Sequence, residues 1–199
     1  MATSVEQIVN LGLSHVGHTQ FVDNLETEQS AEAALGNLHY EPARDYVLED
    51  FPWPEATKYI ALGLLEENPN DDWLYSYRYP DDCLFVRRIV TALGRHDPNP
   101  PPFITGADDT GRLIYTDEAD AVIEYTKLLT DVVQFRPTLV MAMSWYLGAM
   151  MCPGLAKDKK QADRCMQMYA LVKSQAQARA LNEQQQTPEP DSEFIRARQ

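Results

Sequence analysis

The side chains that could take part in acid–base or metal chemistry are 30 carboxylates and four histidines, spread over 199 residues. His15 and His18 lie three residues apart near the end of a predicted helix, a spacing that suits two metal ligands, but no third ligand is in view. Asp81 and Asp82 follow Pro80, a pattern more typical of a turn than of catalysis. Carboxylates are so frequent that a pair suited to glycoside hydrolysis could arise by chance.

Motifs with a defined chemical mechanism do not occur in this sequence. There is no GxGxxG or GxxxxGK phosphate-binding loop, no GxSxG nucleophile motif and no His-Glu metal motif. We therefore predict that the protein is not an enzyme, and we predict no catalytic residue, no cofactor site and no metal site.

The formal net charge of -13 is concentrated at the start of the chain. Up to Glu55 there are ten acidic residues and a single basic residue, Arg44. This excess argues against non-specific nucleic-acid binding and against an anionic membrane as partner, because both require basic surface. Such a segment usually forms a solvent-exposed face. The alternative is an acidic surface that repels DNA or binds a basic partner.

The cysteines and the apolar segments favour a reducing compartment and no membrane span. Cys83, Cys152 and Cys165 are widely spaced, and no CxxC motif occurs. The N-terminus lacks the basic and then apolar pattern of a signal peptide. The most apolar run, residues 139–152, is shorter than the roughly 20 residues that cross a bilayer.

The middle of the chain favours β-structure. Residues 75–89 read YSYRYPDDCLFVRRI, with alternating side-chain types before and after a turn signal at Pro80. A second turn signal at residues 108–111 predicts a hairpin. Residues 57–65 suit either a short helix or a buried strand. Together with residues 121–125, these segments predict one small antiparallel sheet.

Helices are predicted before this region. Residues 4–7 form a capping box for a first helix that Gly17 ends. A second helix is predicted over residues 26–51, with a kink or split near residues 38–39 because of Pro42. Its predicted apolar stripe is Ala31, Ala34, Leu35, Leu38, Val47, Leu48 and Phe51.

Two more helices are predicted after the β-region. The third begins at Pro137 and is apolar around almost its whole circumference, so it must be buried on several sides, in the core or against a neighbouring subunit. Gly148 would allow a neighbouring helix to approach it closely. A fourth helix, residues 158–186, is apolar on one face and carries Lys, Arg and Gln on the other. Trp53, between two prolines, is predicted to anchor the core.

We therefore predict a mainly α (α+β) fold. It is an antiparallel helical bundle of about four helices with a small antiparallel β-sheet insertion and an extended C-terminal tail. The predicted parts of one compact domain are residues 1–54 (N-terminal helices of the bundle), 55–128 (β-rich insertion), 129–186 (C-terminal helices) and 187–199 (docking tail).

Several short motifs occur in an order that resembles a known family. They are VNLGLSHVG at residues 9–17, ARDYVL at 43–48, PWP at 52–54, WLYSYRYPDDCL at 73–84, IYTD at 114–117, IEYT at 123–126, LNEQQ at 181–185 and SEFIRAR at 192–198. In this order they are similar to the head-to-tail connector or adaptor proteins of tailed bacteriophages, in particular the tail tubular protein A type. The similarity covers essentially the whole chain and rests on the order and spacing of the motifs, since each motif alone is weak.

The resemblance implies a structural adaptor in the neck between capsid and tail, assembled in the host cytoplasm. Such proteins form a homo-oligomeric ring, usually of twelve subunits, that joins the portal protein to the tail tube or nozzle protein. DNA passes through the ring without being bound specifically. The residues leave two alternatives open, a virion-associated peptidoglycan hydrolase with two carboxylates as acid and base, and a helical interaction module.

Candidate binding residues follow from the same interpretation. In this family the C-terminal segment commonly docks on the portal, which implies a portal-docking tail at Phe194, Ile195, Arg196 and Arg198. Six further aromatic and basic residues are predicted to contact the next subunit, the next ring or the tail: Tyr77, Tyr79, Arg87, Arg88, Trp145 and Tyr146.

Overall fold

The computed structural model describes residues 4–91, 94, 97, 99–155 and 159–183. In this part of the chain, two α-helices precede seven β-strands and two α-helices follow them. The helices are α1 (Val5–His15), α2 (Ala31–Asp50), α3 (Pro137–Leu155) and α4 (Lys159–Glu183). The strands are β1 (Thr57–Ala61), β2 (Leu64–Glu67), β3 (Tyr75–Arg78), β4 (Cys83–Val90), β5 (Phe103–Asp108), β6 (Gly111–Thr116) and β7 (Val122–Lys127).

The strands form two antiparallel sheets, so the prediction of a mainly helical bundle with one small sheet is wrong. One sheet has three strands in the order β1-β7-β4, and the other has four strands in the order β2-β3-β6-β5. Side chains from both sheets share a core that is separate from that of the helices: Leu62, Tyr77, Tyr79, Cys83, Val86, Ile89, Ile114, Ala121, Ile123 and Tyr125. The protein is an α+β mixture, with a helical unit and a β-unit that each have their own buried cluster.

The turn at Pro80 joins the two sheets and does not form a hairpin within one sheet. Before it, β3 pairs with β2 and β6, whereas after it β4 pairs with β7. The amide of Cys83 donates to the Pro80 carbonyl, and the Asp82 carboxylate accepts from the Tyr125 hydroxyl at 2.8 Å and from Lys58 at 3.0 Å. Asp82 therefore has the structural role in a turn that the sequence predicts.

Two other sequence predictions in the β-region have clear outcomes. The hairpin at residues 108–111 is confirmed, because β5 and β6 pair from Asp108–Gly111 outward. Residues 57–65, which suited either a helix or a strand, contribute β1 and the start of β2.

Helix α3 lies at the centre of the helical unit. Helices α1, α2 and α4 all contact it, which explains why it is apolar on almost every side. By length and composition alone α3 could cross a membrane, with a mean hydropathy of 1.3, but 56% of it is buried inside the protein. A buried core helix passes the same test, so this helix is explained by its packing within the chain.

Close packing of α1 on α3 depends on glycine. A Cβ atom at Gly148 would lie 3.0 Å from the Gly12 carbonyl oxygen, and a Cβ atom at Gly12 would lie 3.2 Å from the Ser144 carbonyl oxygen. These distances are shorter than ordinary van der Waals contact, so both positions favour glycine. The predicted close helix approach at Gly148 is confirmed.

Helix α2 differs from its prediction in three ways. It begins at Ala31, where the Ser30 hydroxyl caps it, and it continues through Pro42, so of the predicted kink or split the split does not occur. Pro42 lies on the exposed side of the helix, where water can satisfy the carbonyl that loses its donor. The predicted stripe is also partly wrong, since Leu38 is 63% exposed. The hydrophobic side chains that α2 buries are Ala33, Tyr40, Ala43, Val47 and Leu48.

Candidate functional site

The two tyrosines of the predicted interface lie inside the β-unit. Tyr77 is 1% exposed and its hydroxyl donates to the Glu118 carbonyl at 2.8 Å. Tyr79 is 6% exposed, and the Arg112 guanidinium lies 3.9 Å from the centre of its ring. Burial raises the pKa of both phenols. Both side chains are thus enclosed by the chain itself.

Arg87 links the β-unit to the end of α2. Its guanidinium donates to the carbonyls of Leu48 at 3.2 Å and Glu49 at 2.7 Å, and to the Thr126 hydroxyl at 2.8 Å. The last backbone carbonyls of a helix have no hydrogen-bond donor within the helix. Arg87 supplies donors to two of these carbonyls at the end of α2. Arg87 therefore links the β-unit to the helical unit through hydrogen bonds.

Arg88 belongs to a different set of contacts. Its guanidinium bonds to the nearly buried Glu124 carboxylate at 2.6 Å and to the Gly94 carbonyl at 3.0 Å. The ion pair lies within the three-stranded sheet, because Arg88 on β4 is the register partner of Glu124 on β7. The two neighbouring arginines thus stabilise different parts of the fold.

Trp145 and Tyr146 also have partners within the chain. Trp145 stacks on the His15 ring, with 3.5 Å between ring centres. Tyr146 stacks on Tyr46 at 4.7 Å and lies 5.2 Å from Tyr169. Both side chains are half-buried. The predicted tail residues Phe194, Ile195, Arg196 and Arg198 lie outside the described residues.

Within the described residues, His15 and His18 do not share a metal site. The Nε2 atom of His15 lies 3.0 Å from the Ser144 hydroxyl, and that of His18 lies 2.6 Å from the Glu32 carboxylate. Among the described residues, no three His, Cys, Asp or Glu side chains converge in a way that could hold a metal ion. Ser144 is fully buried, so the His15–Ser144 pair offers no accessible nucleophile.

We predict that the stability of the protein decreases as the pH falls because of His15. Burial lowers the pKa of His15 to about 4 from its ordinary value of 6.5. The unfolded chain therefore takes up a proton near pH 6.5, while the folded chain takes it up only near pH 4. His15 therefore does not reduce the free energy of unfolding above pH 6.5, and this free energy decreases as the pH falls from 6.5 towards 4. Between pH 7.5 and 5 we expect a loss of about 1–2 kcal/mol, because solvent screens part of the effect.

Urea denaturation of the wild type and of His15→Gln at both pH values measures this effect. The variant should lose less of its free energy of unfolding than the wild type between pH 7.5 and 5. Carboxylates have ordinary pKa values near 4, so their effect falls mostly below this window. Equal losses in both proteins would show that His15 does not cause the pH dependence.

An open edge, with no further strand beside it among the described residues, runs along both sheets. The strand β1 is an edge strand of the three-stranded sheet, and β2 is an edge strand of the four-stranded sheet. They follow each other in the chain, so residues 57–67 lie along an edge of both sheets. This segment exposes four large apolar side chains, at fractions between 36% and 51%: Tyr59, Ile60, Leu64 and Leu65. Such an edge is a template for pairing with another chain.

The helical unit presents faces of opposite charge. Glu41 and Asp45 on α2 are largely exposed, with 75% and 41% of their side chains accessible. Helix α4 carries five basic and two acidic residues, and only Cys165, Tyr169 and Ala176 are buried in it. The outside of α2 is therefore acidic, whereas the outer face of α4 is mainly basic.

A groove of about 760 Å³ lies between the helical unit and the β-unit. The apolar part of its wall comes from three elements: Phe51, Pro52, Pro54, Tyr59, Ala180 and Leu181. Its charged part consists of Asp50, Glu124, Glu183 and Lys173. Sequence reasoning missed this groove, because its residues come from the end of α2, from β1 and β7, and from the last turns of α4.

The carboxylate of Asp50 binds two side chains of α4 at this groove. It accepts from the Tyr169 hydroxyl at 2.5 Å and from the Lys173 ammonium at 2.6 Å. Burial alone would raise the pKa of Asp50, but these two hydrogen bonds and the positive charges of Lys173 and Arg87 together lower it. Asp50 therefore remains ionised at neutral pH.

A second cleft, of about 180 Å³, adjoins the groove and shares Phe51, Pro54, Ala180 and Glu183 with it. The side chain of Glu55 in this cleft is 7% exposed. Its Oε2 atom is buried and has no hydrogen-bond partner in the described part of the chain, and the nearest cationic atom, Arg136 Nε, is 3.7 Å away. No protein-family model matches the chain, and no curated protein matches it significantly.

Proposed function

We propose that this protein is a structural adaptor of a tailed bacteriophage. In this proposal it is a ring subunit in the neck of the virion, and it joins the portal to the tail tube or nozzle while DNA passes through. The order of motifs along the chain, from residues 9–17 to residues 192–198, supports the choice of family and partners.

The open edge of residues 57–67 is the structural observation that carries the proposal. Soluble proteins usually protect such edges with charge, proline or a covering element. This edge carries the charged residues Lys58, Glu66 and Glu67, but between them it exposes Tyr59, Ile60, Leu64 and Leu65. An exposed apolar edge is explained if another protein adds a strand to it during assembly. We assign this edge to the contact with the tail-side protein.

The charged faces support assembly into a ring. A head-to-tail contact needs two different and complementary surfaces on one subunit. The acidic exterior of α2 and the basic exterior of α4 provide such a pair. The overall charge of -13 also suits a channel wall that must let DNA pass without holding it.

Co-assembly with the cognate portal and tail proteins tests this function. We expect the full chain to form rings on portal particles, visible by electron microscopy, and these rings to bind the tail-side protein. In the double variant Ile60→Lys and Leu65→Lys, two charges at the edge should reduce the bound tail-side protein at least tenfold and leave portal binding intact. Val133→Lys, at a 66% exposed site between β7 and α3 that belongs to none of the proposed contacts, is the matched control and should bind both partners.

Melting temperatures near the wild-type value would show that the edge variant remains folded. The proposal fails if the full chain does not bind the portal. The assignment of the edge fails if the double variant and the control bind the tail-side protein equally.

A further inference from the structure

One strand of the β-unit is exposed on both of its faces. Strand β2 is an edge of the four-stranded sheet, and its residues Leu64, Leu65, Glu66 and Glu67 are all exposed. Neighbouring residues of a strand point to opposite faces, so the described part of the chain leaves both faces of β2 open. An edge strand also leaves some backbone N–H and C=O groups without a partner in the sheet. A further strand can therefore pair with β2.

The carboxylates near β2 have no cationic partner in the part of the chain that the structure describes. Residues 64–77 and 115–121 contain seven acidic residues and no Lys or Arg. The sheet brings these two segments together, because Tyr75 on β3 is the register partner of both Glu67 and Thr116. The seven acidic residues, none of which forms an ion pair with a described residue, are Glu66, Glu67, Asp71, Asp72, Asp117, Glu118 and Asp120. This end of the β-unit therefore carries negative charge that the described residues do not neutralise.

A concave site of about 500 Å³ lies beside the end of β2. Its wall includes the acidic residues Asp71, Asp72 and Asp117 and the apolar residues Trp73 and Leu74. Leu74 is 50% exposed. The side chains of Lys and Arg combine an apolar stem with a positive group, so they match both parts of this wall. The site therefore suits a basic side chain of a strand that pairs with β2.

The other described edges of this chain do not offer such a strand. A second copy of β2 would place like charges on facing strands, which is unfavourable. Strand β5, the other edge of the same sheet, contains Asp108 but no Lys or Arg. The guanidinium groups of Arg87 and Arg88 on β4 are bonded to other parts of the chain, and so is the ammonium group of Lys58 on β1. The charges of β2 therefore favour a strand from a different protein.

We propose that β2 binds an extended segment of another protein that carries both apolar and basic side chains. The apolar side chains pack on Leu64 and Leu65, and the basic ones face Glu66, Glu67 and the concave site. Backbone hydrogen bonds to the open edge provide affinity, and the charges select the partner. The inference rests on the proposed adaptor function for the identity of the partner, the tail-side protein, and it adds the chemistry of the strand that this protein must supply.

Peptide binding to the isolated full chain tests this proposal. The probe is a fluorescein-labelled peptide of the repeating sequence KKVV, and fluorescence anisotropy measures its dissociation constant. Physiological ionic strength is used because it screens long-range attraction between exposed charges. An EEVV peptide has the opposite charge, and a KKPP peptide keeps the positive charge but lacks half of the backbone donors. We expect both control peptides to bind at least tenfold more weakly than KKVV.

A charge-reversal variant locates the binding site. Glu66→Lys combined with Glu67→Lys should weaken KKVV binding at least tenfold. Glu26→Lys combined with Asp163→Lys is the matched control, because it changes the net charge equally at two exposed carboxylates of the helical unit, and it should bind like the wild type. Amide hydrogen exchange in residues 64–67 of the wild type should become slower when KKVV binds, since the peptide then pairs with the open edge.

Absence of KKVV binding, equal binding of KKVV and KKPP, equal weakening in the two double variants or unchanged exchange in residues 64–67 would each overturn the proposal. Melting temperatures near the wild-type value would show that both variants remain folded. The experiment needs neither the portal nor the tail-side protein. Failure of the adaptor function would appear as absence of portal binding in the co-assembly experiment, whereas failure of this inference would appear in the peptide measurements.

Discussion

Replacing Arg87 with methionine should lower the free energy of unfolding by about 2–4 kcal/mol. Methionine retains much of the aliphatic part of the side chain but removes the guanidinium group. The carbonyls of Leu48 and Glu49 would then lose their donor at the end of α2, and the Thr126 hydroxyl would lose its partner on β7. A hydrogen bond from a charged donor contributes about 1.5–3 kcal/mol, and Arg87 makes three at a half-buried site.

Urea denaturation followed by circular dichroism measures this loss. Arg78→Met is the matched control, because Arg78 is 38% exposed and forms a surface ion pair with Asp108 at 3.1 Å. Surface ion pairs contribute about 0–1 kcal/mol, so the control should change stability little. Hydrogen exchange should also become faster in the last turn of α2 in Arg87→Met. Equal losses of the free energy of unfolding in the two variants would contradict the role of Arg87 as a link between the two units.

The role of Arg87 shows what an alternating strand pattern can and cannot predict. The pattern indicates that successive side chains point to opposite faces of a sheet. It does not indicate whether another protein or a distant part of the same chain covers each face. In this fold the end of α2 accepts from Arg87, and the core of the β-unit encloses Tyr77 and Tyr79. Sequence reasoning could not distinguish these internal contacts from an interface.

Two predictions that depend on local signals are confirmed. The Ser4 hydroxyl caps α1 by accepting from the Gln7 amide, as the capping box predicts. The turn at residues 108–111 forms a hairpin because its residues suit a tight turn between β5 and β6. In each case the partners are within a few residues of one another, so short-range spacing contains the necessary information.

Predictions that depend on distant partners are less successful. The turn after β3 looks local, but the pairing of β3 with β6 and of β4 with β7 divides the strands between two sheets. The buried face of α2 also depends on a distant partner. A Cβ atom at Gly36 would lie 2.8 Å from Leu25 and 2.9 Å from Val9, so a small residue is needed where α2 meets α1 and the preceding loop. Counting large apolar residues could not identify that face.

Replacing Trp53 with alanine should produce the largest loss of stability among these variants, about 3–5 kcal/mol. Trp53 is 1% exposed, between the end of α2 and β1, and its indole N–H donates to the Val47 carbonyl at 2.7 Å. Its ring also meets the edge of Phe51 at 4.9 Å between ring centres. Truncation to alanine removes this packing, leaves a cavity in the helical core and removes the donor to α2.

Trp53→Phe separates the two contributions. Phenylalanine keeps most of the ring packing but cannot donate to Val47, so this variant should lose about 1–3 kcal/mol. Trp73→Ala is the matched control, since Trp73 is only partly buried in a polar loop, and we expect a loss below about 1 kcal/mol. Urea denaturation of the three variants measures these differences. If Trp53→Ala were no more destabilising than Trp73→Ala, Trp53 would not anchor the core where α2 meets the β-unit.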